Sequence, residues 1–245
     1  MSAGGVTGNT VPVQGTTAGS SPSPALHALV VGLIPIALAR DLVVRYHYLH
    51  SLPGGTCLAF GAFLGHRLLG ALTLGAGPAN AFSLVPGALP ADCLTLTRLW
   101  LSDELPRNSE SRVLGLVLRS LRKHTRLKFL VSYADPAQGH RGTIYQATNW
   151  VYTGWSQATP LYDLGDGKPR HSRSLSHSLG TRSLAYLRAQ GVPVQLVPQS
   201  AKHRYLYFLD PAWRGRLPSP ALPYPKLEAA TNINVSMEEF TDASN

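Results

Sequence analysis

The chain has 245 residues, enough to bury a sizeable core, and it carries 22 lysines and arginines against 13 aspartates and glutamates, a formal net charge of +9. Its two cysteines, Cys57 and Cys93, are too few for a disulfide-stabilised scaffold and lack the spacing of a zinc site. The apolar stretch at residues 25–39 is shorter than a membrane span and contains His27 and Pro35, which indicates buried core and excludes a transmembrane helix.

The positive charge is concentrated before the C-terminal segment. Residues 1–225 hold 21 of the lysines and arginines and 9 of the acidic residues, which leaves +12 on this part. A body with this charge attracts polyanions by releasing counterions from their phosphates, so nucleic acid is the first partner to consider. A solvated basic face that serves only solubility is the alternative.

Composition divides the chain into three parts. Residues 1–24 are rich in Gly, Ser, Thr and Pro and predict a disordered tail, and residues 226–245 predict a second flexible tail. Residues 25–225 predict one folded domain. The first 26 residues contain no Lys or Arg, which argues against a secretory signal, and with so few cysteines we expect the protein in the cytoplasm.

Apolar periodicity predicts an α/β (α+β) domain. The predicted elements are, in chain order, a strand at 27–33, a helix that follows Pro35 and ends near residues 46–48, hairpin strands at 56–64 and 67–75, a strand at 93–101, an amphipathic helix at 109–124, a strand at 129–134, a short helix at 142–149 and a strand at 150–155. A polar stretch at 166–183, a short helix ending at Gln190 and a closing strand at 202–209 follow.

The loop between the strand at 93–101 and the helix at 109–124 suits a pyrophosphate. It offers backbone N–H groups at a helix N-terminus together with Arg107 and Arg112. In the alternative interpretation, Ser109 and its neighbours only cap the helix.

With the order of elements, this loop makes the chain resemble the GNAT acyltransferase superfamily. The resemblance implies a mixed, mostly antiparallel central sheet flanked by helices, and an acetyl-CoA site on the central strand and the loop after it. The implied cofactor-binding residues are Leu99, Trp100, Leu101, Arg107, Asn108, Ser109, Ser111 and Arg112. Residues such as Ser111 stand where that superfamily has glycines.

Three stretches resemble the Mom family of phage DNA-modification proteins more specifically. They are Arg45-Tyr46-His47-Tyr48, Leu94-Thr95-Leu96-Thr97-Arg98-Leu99-Trp100, and Ser132-Tyr133-Ala134-Asp135 leading to Gly139-His140-Arg141-Gly142-Thr143-Ile144-Tyr145-Gln146-Ala147. The resemblance implies transfer of an acetamide-like (carbamoylmethyl) group, derived from acetyl-CoA, to the exocyclic amine of adenine in phage DNA, which protects that DNA from restriction.

Five residues are candidates for catalysis. Asp135 follows a buried strand and is expected to act as a base or a metal ligand, or else to cap the next turn. Arg98 interrupts an apolar strand, so it needs an anionic partner, either Asp135 or a ligand, and a structural ion pair is the alternative. The resemblance makes Tyr145 the acid that protonates the departing thiolate, Tyr48 a residue that positions the acceptor, and Ser120 a further family position. The ordinary alternative for Tyr145 is a tyrosine packed in the core, and for Ser120 it is a helix serine at the surface.

A metal and a DNA surface complete the expectations. His47, Asp135 and His140 are a candidate His/His/carboxylate iron site, because bond formation at an acetyl methyl carbon needs strong activation. Hydrogen-bonded structural histidines are the alternative.

Basic residues interleaved with aromatics at 166–209 are expected to bind double-stranded DNA and an extruded adenine. The candidate DNA-binding residues are Lys168, Arg170, Arg173, Arg182, Lys202 and Arg204.

Two other functions remain open at this point. A conventional N-acetyltransferase of a small amine or a protein would use the same fold. A non-catalytic DNA-binding protein would keep the basic surface and would not bind CoA.

Overall fold

A mixed sheet of seven strands dominates the computed structural model, which describes residues 24–170, 172–181 and 183–226. In chain order the helices and strands are α1 (Pro24–His27), β1 (Leu29–Leu33), α2 (Ile36–Tyr46), β2 (Thr56–Leu64), β3 (Arg67–Gly75), β4 (Cys93–Leu101), α3 (Ser109–His124), β5 (Phe129–Ala134), α4 (Thr143–Gln146), β6 (Val151–Trp155), β7 (Leu161–Asp163), α5 (Ser172–Leu179), α6 (Leu184–Ala189), β8 (Gln195–Val197) and β9 (His203–Phe208).

The strand order confirms the predicted fold class. The sheet runs β1-β2-β3-β4-β5-β9-β6, and among these described strands β4 and β5 are the one parallel pair. The neighbouring pairs on both sides of them are antiparallel. The parallel pair needs a crossover connection, which α3 supplies as expected for a strand-helix-strand unit.

Helix α3 covers one face of the sheet. Its leucines and valines recur at helical spacing, so Leu114, Val117 and Leu121 are fully buried while Arg119 and Lys123 stay exposed. Each buried side chain of this size contributes about 2 kcal/mol by leaving water. The apolar face of α3 therefore holds β4 and β5 beneath it.

The opposite face of the sheet is covered in two halves. Over β2 and β3, the small residues Ala39, Ala59 and Ala71 let α2 approach closely. Over β5 and β9, the cover comes from irregular segments and 3₁₀ turns at residues 81–88 and 211–217, where Val85 lies in the same apolar cluster as Phe129 and Trp213 packs against that cluster. Sequence periodicity did not predict these turns, because a single 3₁₀ turn leaves no repeating pattern.

Strand β9 lies inside the sheet. It pairs with β5 on one side and with β6 on the other, so it is not an edge strand. Tyr205 and Leu206 are both fully buried although they face opposite sides, which is typical of an internal strand.

The polar stretch at 166–183 is more ordered than its composition indicates. It contains α5, and with α6 and the β7-β8 pair this helix forms a small unit beside the main sheet. The unit has its own apolar cluster, centred on Leu175, Leu187 and Val194. Isolated leucines among polar residues gave too weak a periodicity to predict it.

Other boundaries differ by a turn or less from the prediction. The predicted first strand at 27–33 overlaps α1 at its first residue, so the observed strand begins later. The predicted helix at 142–149 is shorter in the structure, where it is α4, because Gly142 and Asn149 both adopt positive φ, 77° and 61°. The two predicted tails lie outside the described residues, apart from Pro24 and Lys226. Across the described chain, no helix combines the length and apolarity that crossing a bilayer requires.

Substitution of Gly142 tests how closely the start of α4 packs against Tyr205. A Cβ at Gly142 would lie 2.4 Å from Cε2 of the buried Tyr205 ring, whereas one at Gly139, also at positive φ, would meet no atom within 4 Å. We expect Gly139→Ala to cost about 1 kcal/mol for the left-handed backbone, and Gly142→Ala to cost about 1–3 kcal/mol more because the ring must move. Urea unfolding of the two variants measures both losses, and equal losses would contradict this packing.

Candidate functional site

The sheet opens between β4 and β5. The two strands pair only where Cys93–Thr95 meets Phe129–Val131. Beyond those residues β4 continues along β3, and β5 continues along β9. The described strands therefore leave a gap in the sheet, and Arg98 and Asp135 lie on its two sides.

Asp135 is held at the end of β5 by contacts to both carboxylate oxygens. Oδ1 accepts hydrogen bonds from Ser200 Oγ at 2.8 Å and from the Ala137 N–H at 3.0 Å, and Oδ2 lies 3.1 Å from Lys202 Nζ. The bond from Ala137 is the turn-capping contact weighed for this residue. The carboxylate is thus fixed in one orientation, with 17% of the side chain exposed.

These contacts set the ionisation of Asp135. Burial acts to raise the pKa of the carboxyl group, but the hydrogen bonds from Ser200 and Lys202 and the Lys202 charge outweigh it, so the pKa lies below its ordinary value. Asp135 is therefore an anion at neutral pH.

Arg98 does not pair with Asp135. Its Nε donates to the Ser51 carbonyl oxygen at 2.8 Å and its Nη1 to the Thr97 carbonyl oxygen at 2.7 Å. Burial lowers the pKa of Arg98, and the nearby Tyr48 hydroxyl raises it. Within the described residues, neither Asp135 nor another carboxylate forms an ion pair with Arg98, so the structural ion pair considered for this residue is not observed.

Tyr48 lies between the two charged groups. Its ring stacks on His47 with centroids 4.3 Å apart and meets His140 edge-on at 5.5 Å. Burial and the Asp135 charge raise the pKa of the Tyr48 hydroxyl, while Arg98 lowers it. With 45% of the residue exposed, Tyr48 presents an aromatic surface beside the carboxylate.

The expected iron site is not supported. Among the described residues, no three His, Cys, Asp or Glu side chains form a group that could hold a metal ion. The His47 Nδ1 accepts the Leu49 N–H at 3.1 Å, and the oxygens of Asp135 are bonded to Ser200 and Lys202. Burial, Arg98 and His140 lower the pKa of His47 to about 4, so it is a neutral imidazole, in agreement with the structural alternative for this histidine.

Tyr145 reaches the gap from α4. Its hydroxyl accepts a hydrogen bond from Ser132 Oγ at 2.8 Å, and the same Oγ lies 3.4 Å from the Leu96 carbonyl oxygen of β4. Burial raises the pKa of Tyr145 to about 12 although the Ser132 bond lowers it, so the hydroxyl keeps its proton. The residue is 7% exposed, as in a core tyrosine, and its hydroxyl lies where the strands part.

The expected cofactor loop leads from β4 into α3. Leu99, Trp100 and Leu101 are half-buried on β4, and Asn108 precedes the helix with φ 71° and no capping side-chain hydrogen bond. Ser109 and Ser111 donate to the carbonyl oxygens of Pro106 and Asn108 instead, so neither serine caps the first amides. Arg107 is exposed, and Nε of Arg112 is buried without a hydrogen-bond partner among the described atoms.

The expected DNA-binding cations are largely engaged within the protein. Arg170 pairs with Asp166, Lys202 with Asp135, and the Arg204 guanidinium donates to Thr153. Lys168 is exposed. Arg182 and the side chain of Arg173 lie outside the described residues.

Ser120 is apart from these groups. It lies in the middle of α3, half-buried, and its carbonyl oxygen accepts a hydrogen bond from His124 Nδ1. This placement agrees with the alternative of a helix serine at the surface.

Sequence reasoning missed two residues that hold the site. Ser132 belongs to one of the three motifs and is not among the predicted site residues, yet it positions the Tyr145 hydroxyl. Ser200 lies 65 positions after Asp135 and holds its carboxylate. No local pattern could have identified Ser200, because only the return of the chain into β9 brings it to β5.

The ion pair at Asp135 gives a testable pH dependence. Lys202→Met removes the cation and its hydrogen bond, so the pKa of Asp135 should rise. Because the folded-state pKa is below the unfolded one, the ion pair stabilises the protein above the unfolded pKa, and this stability is lost as the pH falls through the folded pKa. Carboxyl ¹³C NMR titration measures the shift, with the Asp135 signal assigned from Asp135→Asn. An unchanged pKa in Lys202→Met, or an equal rise in the control Lys168→Met, would contradict the contact.

Comparison with known proteins gives matches of two kinds. Two solved acetyltransferases align loosely: an N-acetyltransferase from Staphylococcus aureus Mu50 over 74% of this chain and 97% of its own, with TM-score 0.40 and 10% identity, and NAA60 of Arabidopsis thaliana, in complex with acetyl-CoA, over 74% and 98%, with TM-score 0.44 and 9% identity.

The sequence match is much closer. Over 205 residues the chain is 32% identical to the methylcarbamoylase Mom of Escherichia phage Mu, and the alignment covers 81% of this chain and 84% of the relative. Residues 28–226 match the Mom protein family, so the resemblance found in the three motifs is confirmed. The chain belongs to the Mom protein family.

Proposed function

We propose that this protein is a transferase that modifies phage DNA, placing a carbamoylmethyl group derived from acetyl-CoA on the exocyclic amine of adenine and so protecting the DNA from restriction. The phage Mu relative is named a methylcarbamoylase, which agrees with the prediction of a transferase. We place the reaction in the cytoplasm of the host cell, where phage DNA is replicated.

One observation carries the proposal. The three stretches that make the chain resemble the Mom family are far apart in sequence, and they meet at the gap between β4 and β5. Tyr48 is near enough to both Asp135 and Arg98 for their charges to shift its pKa, and its ring contacts His140. An anion, a cation and an exposed aromatic ring are thereby gathered in one place.

The loop before α3 supports acetyl-CoA as the donor. The first turn of α3 has no side-chain cap, and its Ser109 and Arg112 amides bond to the carbonyl oxygens of Pro106 and Asn108. The Glu110 and Ser111 amides and the positive end of the helix dipole remain open to an anion. Arg112 adds a buried Nε without a partner, and Arg107 adds an exposed cation. This donor set fits a pyrophosphate, and bound acetyl-CoA would supply the two-carbon unit that is transferred.

The residues at the gap fit the proton transfers of such a reaction. Joining the adenine amine to the methyl carbon of acetyl-CoA also requires a two-electron oxidant, and forming the amide requires an ammonia-level nitrogen donor, with the CoA thiol as the leaving group. Asp135, as an anion, would accept a hydrogen bond or a proton from the adenine amine. Arg98, which has no ion pair with a described residue, would offset negative charge that develops during transfer. Tyr145 holds its proton and would donate it to the departing thiolate, with Ser132 keeping the hydroxyl in place. The Tyr48 ring would position the base by stacking.

The acceptor must leave the duplex to reach these groups. An adenine amine inside double-stranded DNA is paired, and enzymes that act on a base extrude it into a pocket. Tyr48 is the exposed aromatic beside Asp135, so it is the residue that we expect the extruded adenine to meet. Double-stranded DNA is therefore the proposed partner.

Binding of CoA is the first prediction of this proposal. Arg112→Gln should weaken CoA binding about tenfold or more, because loss of a charged hydrogen bond typically costs 1.5–3 kcal/mol. Isothermal titration calorimetry with CoA measures the change. Arg67→Gln removes an arginine that pairs with Glu104 at the surface and should bind CoA like the parent protein. Equal affinities in all three proteins would place CoA elsewhere.

The reaction itself is the second prediction. Cells that express the protein and carry a plasmid should contain deoxyadenosine with a carbamoylmethyl adduct, detected by mass spectrometry of the digested plasmid. Asp135→Asn should abolish the adduct, because the neutral amide cannot accept the proton. Asp41→Asn, an exposed change on α2, should leave the adduct unchanged.

The same measurement separates the other functions considered. An acetyl group on a small amine or a protein, with unmodified adenine, would indicate a conventional N-acetyltransferase. Unmodified adenine together with DNA binding and no CoA binding would indicate a DNA-binding protein without catalysis.

A further inference from the structure

A second group of cations lies at the other end of β5 from Asp135. It consists of Arg119, Arg122, Lys123, Arg126, Arg214 and Arg216, which we call the α3-end surface. The first four come from the last turns of α3 and the residues after it, and the last two from the 3₁₀ helix at 211–216. Because β5 has six residues, the α3-end surface and Asp135 are about 20 Å apart.

The two segments form one continuous surface. A cavity of about 340 Å³ is lined by Arg122 and Arg126 on one side and by Asp210 and Pro211 on the other. The guanidinium of Arg216 lies 4.0 Å from the centroid of the Trp213 ring, and Lys128 faces the same ring at 5.9 Å. The carboxylate of Asp210 is paired with Lys128 at 3.2 Å and also interacts with the charge of Arg216, so this one anion faces several cations.

Most of these cations are unengaged. Within the described chain, the side chains of Arg119, Lys123, Arg126 and Arg214 make no hydrogen bond or ion pair, and all four are exposed. In contrast, Arg170, Lys202 and Arg204, which were expected to bind DNA, are bonded to other residues of the protein. A phosphate meeting the α3-end surface would not have to displace an internal partner.

Stabilisation of α3 is the competing explanation for these charges. Cations in the last turn of a helix interact favourably with its dipole, which accounts for Arg122 and Lys123. It does not account for Arg214 and Arg216, because they belong to a different segment, whose first residue, Pro211, lines the same cavity. Nor does it account for Arg119, which lies more than one turn before the end of α3.

We propose that the α3-end surface binds the phosphate backbone of double-stranded DNA while an adenine of the same duplex occupies the Asp135 site. This inference rests on the proposed function for its partner. A distance of about 20 Å corresponds to about six base pairs at 3.4 Å each, so one short duplex can contact both places. Phosphate contacts of this kind orient the duplex and carry no sequence information.

The test compares two variants that lose the same charge. Arg119→Gln, Lys123→Gln and Arg126→Gln together remove three free cations from the α3-end surface. Lys168→Gln, Arg170→Gln and Arg188→Gln together remove three cations from the small unit that contains α5 and α6. Glutamine is a good helix former, which suits the helical positions Arg119, Lys123 and Arg188, and the other three positions lie outside helices. Equal melting temperatures confirm the fold of both variants.

Salt dependence of binding to a fluorescent 20-bp duplex is the measurement. We expect the slope of log Kobs against log salt to fall by about 2–3 in the α3-end variant, because each lost phosphate contact removes about 0.9. The control variant should keep a slope within about one contact of the parent protein. A normal slope in the α3-end variant, or an equal fall in the control, would overturn the inference.

Adenine modification distinguishes this inference from the proposed function. At saturating DNA the α3-end variant should modify adenine at the parental rate, with a raised KM. A parent protein that binds DNA through the α3-end surface without modifying adenine would refute the proposed reaction and support the surface. A parent protein that modifies adenine, with an α3-end variant that binds DNA equally well, would support the proposed reaction and refute the role of the surface.

Discussion

The arrangement of the site depends on the short pairing between β4 and β5. Parallel strands that pair over three residues and then diverge leave the sheet open, and each strand keeps its other neighbour, β3 or β9, as a rigid support. Side chains beyond the divergence therefore face a gap instead of a neighbouring strand. Arg98 on one side, Ser132 and Asp135 on the other, and Tyr145 behind them owe their proximity to this one irregularity.

The charges of the protein serve two different physical roles. At the gap, Lys202 and Ser200 bond Asp135 and hold it as an oriented anion in a half-buried place, where a charge without partners would be costly. At the far end of β5, Arg119, Arg126 and Arg214 make no side-chain hydrogen bond or ion pair within the described chain and remain available to an anion. An overall net charge cannot distinguish these roles, because it counts an engaged lysine and a free arginine alike.

The accuracy of the sequence predictions followed the strength of the local pattern. The hairpin β2-β3 and the helix α3 were predicted at the bounds observed, because two apolar runs split by Gly65 and His66 and an apolar stripe repeated over four turns are both long patterns. Helix α5, built around Leu175, was read as a polar loop. The candidate site residues with a clear local signal are Arg98, which interrupts an apolar strand, and Asp135, which follows one. The iron site is not supported, because Asp135 is bonded to Ser200 and Lys202 from a distant segment and His47 to the amide of its neighbour Leu49.

The sequence by itself determined the mixed fold, its order of elements and the family, since these depend on apolar periodicity and on motifs within single segments. Tertiary structure alone decided which charges meet. The insertion of β9 between β5 and β6 carries Lys202 and Ser200 to Asp135 across 65 or more positions, and Arg98 bonds to backbone carbonyl oxygens instead. Contacts of that kind depend on how strands are ordered in the sheet, and strand order is set by the packing of whole faces, which no local stretch of sequence contains.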